Sequence, residues 1–292
     1  MASIAKPVLL AVVGILAIVL FLQTSNLITG FQVQNETVTT QVGSANVAPT
    51  CGGSPTWTAP TLSACGNISS GSCTGTVTDT NGYQNITNVR AVLYSSGAGT
   101  AAGCSASQTN CYINSSCVIS SGSGSDATAT CTFAQMPWFV DNGTWTCRIT
   151  PADSAGDGSS NCTPTSNVAV LLSIDAGNII NFNTVTPGGS SAEITESIIN
   201  CGNTVIDVQT NGTLMTCGTN TIPLTDIQYG VASGSANTTL TGSPVTAQLN
   251  AARATTAATN VSANTYWWLQ TVPNNIGGNC VGNVTFITIF NT

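Results

Sequence analysis

The chain opens on an unbroken apolar run, Pro7 to Leu22 (PVLLAVVGILAIVLFL), sixteen residues without a charge or a polar side chain. Lys6 stands just before it, and weaker apolar character continues through Leu27, Ile28 and Phe31. As a helix rising about 1.5 Å per residue, the run covers roughly 24 Å. That is short of a bilayer core of about 30 Å. The helix reaches spanning length if Ser3 to Ala5 and Gln23 to Phe31 extend it. A cation before the run and none close behind it favours an inside N-terminus. Three roles stay open: a retained membrane anchor, a helix bundled with its copies along a filament axis, and a cleaved signal peptide. No Ala-x-Ala site follows the run, which speaks against cleavage.

After Phe31 the period changes. Gln32 to Val42 (QVQNETVTTQV) alternates in part as a strand does, and Ala45 to Pro49 reads as a linker. Short β-branched runs follow, punctuated by Gly, Asn, Asp and Ser: Cys73–Asp79, Asn85–Tyr94, Ala127–Phe133 and Gly143–Thr150. Short strands separated by turn signals predict a β-sandwich. Ser95 to Ser125 is Gly/Ser-rich but carries Cys104, Cys111 and Cys117, so it reads as a loop held by disulfides. A second block begins near Asn167. Val168–Ile174 is of buried-strand type, Asn178–Val185 leads to a turn at Pro187-Gly188-Gly189, and Glu193–Asn200 and Thr204–Gln209 flank Cys201-Gly202-Asn203. Tyr266–Val272 is expected to pair with Val284–Phe290. The predicted class is therefore mainly β and disulfide-rich. A hydrophobic α-helix occupies 1–31, a strand and linker 32–50, and two sandwiches 51–166 and 167–292.

Twelve cysteines behind an export-type N-terminus imply an oxidising exterior. They are Cys51, Cys65, Cys73, Cys104, Cys111, Cys117, Cys131, Cys147 and Cys162 in the first block, and Cys201, Cys217 and Cys280 in the second. With no C-x-x-C pair and no His, thiolate zinc is disfavoured. Strand parity places Cys73, Gly75 and Val77 on one face, and Trp145, Cys147 and Ile149 on one face of another strand. If both faces point inward, Cys73 and Cys147 bridge two sheets beside Trp145. Nine and three are both odd, so full pairing within the chain requires a bridge between the blocks. Cys162, at the border, is the expected partner; a bridge between copies is the alternative.

Charge narrows the roles further. Only 5% of residues are charged, and the net charge is −7. So weakly charged a surface has little self-repulsion and favours association, and without a basic patch nucleic acid is not an expected partner. Few titratable groups also predict near-indifference to acid. Without His, Ser-His-Asp and Cys-His catalysis and His-ligated metals are excluded. Glu193 and Glu196, three apart on a strand, fall on opposite faces. No catalytic residue and no cofactor is expected. Surface Ca²⁺ is a weaker option, at Asp79-x-Asn81-Gly82 or among Asp141, Asp153 and Asp157, against the plainer reading of turn formers. Tyr266, Trp267 and Trp268 read as core or interface. Asn-x-Ser/Thr sites stand at Asn35, Asn67, Asn85, Asn114, Asn142, Asn161, Asn211, Asn237, Asn260 and Asn283. In an exported chain they are glycan acceptors, and glycans would hydrate an uncharged surface.

Two stretches of the first block, VTDTNGYQNITNVRAVLY (77–94) and DNGTWTCRITPADSAG (141–156), resemble strand signatures of immunoglobulin-like domains in archaeal and bacterial surface proteins. In the second block, 177–212 and 266–289 are similar to a surface-module pattern of apolar positions, Pro-Gly and Asn-x-Gly-Asn. The apolar start followed by SNLITGFQV resembles membrane-tethered surface proteins of small-genome archaea. The layout of one apolar helix before a β domain is also that of pilins, although the usual processing site is missing. The resemblance implies two Ig-like sandwiches and an extracellular envelope role: S-layer subunit, pilus-like filament subunit or adhesin. The implied partners are copies of the chain itself and, through the helix, membrane lipid. It brings no catalytic residues.

Overall fold

The computed structural model describes residues 45–291 except 178, 236 and 258. The apolar helix, the strand Gln32–Val42 and the sequon at Asn35 lie outside the described residues. Residues 45–292 form one compact unit. Among the described residues, no helix is long and apolar enough to cross a membrane.

Nine strands surround a first core: β1 (Thr50–Thr58), β2 (Ile68–Thr78), β3 (Asn88–Ser95), β4 (Cys111–Asn114), β5 (Val118–Ile119), β6 (Asp126–Pro137), β7 (Gly143–Asp153), β8 (Gly156–Asp157) and β9 (Thr165–Val168). One sheet has the order β1-β2-β6-β5. The other has β4-β3-β7-β8, with β9 also on β7. The period-2 pattern of β2 and β7 turns Cys73, Val77, Trp145, Cys147 and Ile149 into the space between the sheets, where all five are fully buried. Cys73 and Cys147 are bonded to each other across that space, and Cys51 on β1 is bonded to Cys162 beside β7. Gly75 lies beneath the second bridge. A Cβ there would stand 3.2 Å from the Cys162 sulfur and 3.3 Å from that of Cys51, so the residue between the two bridges is held small.

Ten strands enclose a second core: β10 (Ile174–Ala176), β11 (Ile194–Asn200), β12 (Ile206–Gly212), β13 (Met215–Cys217), β14 (Asn220–Ile222), β15 (Ile227–Gly230), β16 (Thr238–Thr239), β17 (Val245–Ala251), β18 (Ser262–Leu269) and β19 (Val284–Phe290). They form a sheet β10-β11-β18-β15-β16, a sheet β17-β12-β19 and a hairpin β13-β14. Trp267 is fully buried between the layers, stacked on Tyr229 at 5.1 Å and edge-on to Phe286 at 5.9 Å.

A third apolar cluster joins the cores: Trp138, Phe139 and Ala254, with Leu171 and Val261 against them. Cys65 is bonded to Cys201 there. The Arg253 guanidinium donates to the Phe139 carbonyl at 2.9 Å and to Asp141 at 2.5 Å. Asp141 also accepts from the Ser95 hydroxyl, at 2.8 Å, and Asn142 donates across to the Asn203 carbonyl, at 3.1 Å.

Several expectations are corrected. The bridge between the blocks is Cys65–Cys201, while Cys162 serves its own core. Asn167 lies inside β9, which pairs with β7, so the chain passes to the second core only after Val168. Val168–Ile174 is not one buried strand. It breaks after Val168, and Val170 is exposed, because the segment crosses between cores instead of lying in a sheet. Tyr266–Val272 and Val284–Phe290 do not form a hairpin. They belong to facing sheets, β18 beside β11 and β15, and β19 beside β12. Of the expected segment Asn178–Val185, the described residues 179–185 enter no sheet.

The bridges rank by the loops they close. Cys73–Cys147 spans 74 residues and Cys104–Cys111 spans 7. Loop-closure entropy predicts that Cys73→Ala with Cys147→Ala costs about 4 kcal/mol, and Cys104→Ala with Cys111→Ala about 2.5 kcal/mol. Guanidinium unfolding midpoints check the order; equal losses would contradict it.

Candidate functional site

The second core is not closed at the end remote from Cys201. Register places Gly212 opposite Val284, and Ile227 opposite Leu269, at that end. Beyond them the core opens into a slot of about 910 Å³, apolar in its depth and lined by Asn and Thr side chains nearer its rim. Ile222, Ile227, Leu240, Leu269, Val272 and Phe286 line its deep part, with the stretch 179–187 and the loop 276–283 at its rim. No charged side chain lines it. Cys217–Cys280 ties the rim loop to β13.

Two features make this end distinct. The stretch 179–185 lies outside every sheet, yet Ile180, Phe182 and Val185 pack against the core, with a break in the extended backbone at Asn183, where φ is 57°. Ile179, in the same stretch, is 76% exposed. Beside it, β19 pairs only with β12 among the described residues, leaving its outer edge uncovered. This seven-residue edge (VTFITIF) carries no charge and no proline, the devices that normally blunt a free edge. Phe290 on it is 56% exposed.

Glu196 on β11 anchors the start of the rim stretch. Its side chain is buried, one carboxylate oxygen lacks a hydrogen-bond partner among the described residues, and the Gly177 N–H donates to the carboxylate. A Cβ on Gly177 would stand 2.5 Å from that unpartnered oxygen, so a larger residue here would push the Glu196 carboxylate aside. Burial holds the Glu196 carboxyl above the usual carboxylate range, against the smaller opposing effect of the Gly177 hydrogen bond.

The residues singled out in the sequence fall elsewhere. All twelve cysteines are paired, in six bridges. Cys117–Cys131 and Cys104–Cys111 hold the Gly/Ser-rich loop, whose Gln108 accepts from the Ala257 N–H of the second core. Glu193 does not converge with Glu196; it accepts from Ser233 and Gly234. The three aspartates do not gather. Asp141 is at the junction, Asp157 pairs with Arg90 (2.7 and 2.5 Å), and Asp153 closes a turn onto Ala155. Asp79 accepts from the Asn81 N–H in a similar turn. Among the described residues no three His, Cys, Asp or Glu side chains are grouped to hold a metal. Trp267 is buried in the core, with Tyr266 and Trp268 half-buried on the opposite face. Of the described sequons, Asn67, Asn85, Asn237, Asn260 and Asn283 are exposed, while Asn114, Asn142, Asn161 and Asn211 are half-buried. The slot itself went unread in the sequence. Its one trace is the half-apolar stretch Asn178–Val185, whose composition does not say whether it joins a sheet.

No protein-family model and no curated protein matches the chain. Among solved structures, it is similar to a chaperone–tip adhesion subunit pre-assembly complex from the archaic chaperone-usher Csu pili of Acinetobacter baumannii. Identity there is 15% and the TM-score 0.36, over 73% of this chain and 89% of that one. It is also similar to the C-terminal domain of the AgI/II polypeptide BspA of Streptococcus agalactiae, at 10% identity and TM-score 0.22, over 80% of this chain and 96% of that one. At those scores neither likeness carries weight for fold or function.

A carboxyl held above its usual range binds its proton more tightly folded than unfolded. Ionised Glu196 therefore weakens the fold at neutral pH, and that penalty disappears as pH falls through its raised value. Glu196→Gln is expected to raise the urea midpoint at pH 7, with the gain shrinking toward pH 4. A lower midpoint at pH 7 would show that the charge is used. If the sequons are glycosylated, glycopeptide mass spectrometry should find sugar on exposed sites such as Asn237 and Asn260. Asn142, whose amide is engaged at the junction, should be bare.

Proposed function

We propose that this chain is an extracellular structural protein whose copies associate into a cell-surface layer or a pilus-like filament, attached through the apolar run Pro7–Leu22. The observation that carries the reading is the pairing of every cysteine within a nearly uncharged β body that leaves an apolar edge and slot uncovered. Six disulfides fit an oxidising exterior and a body built to last there. Uncharged β edges fit association, since charge is what usually keeps such edges apart. The work is mechanical, and no residue is assigned a catalytic part.

The Ig-like reading of the first core has its own support. Counted along the chain, its sheets follow the order one-two-six-five and four-three-seven-nine. This order is compatible with the ABED and C′CFG arrangement of immunoglobulin sandwiches, and the bridge from the second to the seventh strand is compatible with the position of theirs; both support the Ig-like reading. Such cores serve as rigid spacers in many surface proteins.

The test is the oligomeric state of the full chain, oxidised and in mild detergent, by light scattering and electron microscopy over a hundred-fold range of concentration. Regular arrays or filaments are expected. A chain that stays monomeric throughout, and binds a glycan saturably, would replace this reading with that of an adhesin.

A further inference from the structure

We propose that the slot of the second core takes the segment Gln32–Val42 of another copy of this chain, which pairs with the free edge of β19; this rests on the self-association proposed above. The slot supplies half of the match. A strand laid on β19 gains backbone hydrogen bonds along an edge that is unpaired among the described residues and pockets for its side chains, the two components of strand addition. The pockets are apolar and uncharged: Ile227, Leu240, Leu269, Val272 and Phe286. In an extended chain Val38, Thr40 and Val42 fall on one face, a β-branched set of the right kind for such a lining.

Geometry decides between the chain's own segment and a neighbour's. Ala45 enters at the end of the first core where Thr50 lies opposite Thr78, and its carbonyl accepts from Asn81. The junction is at the other end of that core, where Ile68 lies opposite Pro137 and Cys65 reaches Cys201. The slot is farther still, at the end of the second core remote from the junction. Between Ala45 and the slot therefore stands at least the length of β2, eleven residues or about 36 Å. Only residues 43 and 44 separate Val42 from Ala45, a reach of about 11 Å fully extended. The segment cannot seat in its own slot; it can seat in that of the next copy.

The consequence is polarity. Ala45, which carries the donor segment, and the acceptor slot lie at opposite ends of the described body, so the proposed contact is head-to-tail and does not close on itself as a two-fold pair does. Repeated, it gives a filament or an open row.

The test uses the full chain in mild detergent, wild type against Val38→Asp with Val42→Asp and, separately, Ile179→Arg at the exposed rim. Hydrogen–deuterium exchange is followed by mass spectrometry, beside light scattering. Assembled wild type should protect the amides of 284–290 at least ten-fold over the dilute chain. The double variant should lose both assembly and that protection while keeping the melting temperature of the body. Ile179→Arg should weaken both. A synthetic peptide of residues 31–43 should block assembly and protect 284–290 by itself. If the double variant assembles as well as wild type, and 284–290 exchanges as in the dilute chain, this docking is wrong and association proceeds by another surface. If wild type never assembles and the peptide protects nothing, the docking and the self-association reading both fall.

Discussion

The bond between Cys65 and Cys201 fixes what the two cores can do together. It ties the loop before β2 to the turn after β11, and so sets the end of one sandwich against the end of the other. Around it Trp138, Phe139 and Ala254 exclude water, and Arg253 spans from the Phe139 carbonyl to Asp141. Neither the apolar cluster nor the ion pair is large. A partly exposed ion pair is a weak brace by itself. The covalent bond makes the arrangement permanent, and the other contacts set its angle. Everything distal inherits its position from this joint, including the entry of Ala45 at one extreme and the open slot at the other.

The covalent frame also explains how so uncharged a chain stays ordered. Charged residues are 5% of the sequence, so ion pairs cannot organise the surface; the described residues hold two, Arg90–Asp157 and Arg253–Asp141. Order comes instead from buried aromatic residues, backbone ladders and six bridges. The carboxylates are mostly spent on turns and joints: Asp79 and Asp153 on tight turns, Asp141 on the junction, Glu193 on a loop. Glu196 is the exception, a buried carboxylate that accepts from the Gly177 N–H where the rim stretch begins.

Much of the first core was legible in the sequence. Parity alone put Cys73 and Cys147 on inward faces with Trp145 beside them, because a half-buried strand leaves a period-2 record. The second core was less so. The segments Tyr266–Val272 and Val284–Phe290 look like a hairpin in sequence, but the eleven residues between them can equally carry the chain from one sheet to the facing one. Only packing decides. The partner of Cys162 is not legible, because a position at a border between blocks says nothing about which strand runs beside it; in the fold it bonds Cys51. The slot was illegible for a related reason: nothing in the half-apolar stretch 179–185 says whether it joins a ladder.

The two proposals meet in one physical statement, that copies of this body join end to end through a strand. Electron cryo-microscopy of native surface material addresses it. The outcome expected is a polar row of two-lobed bodies, with a continuous strand from one copy lying against the outer edge of β19 in the next. Bodies related by two-fold axes with that edge bare, or bodies in no ordered assembly, would contradict it.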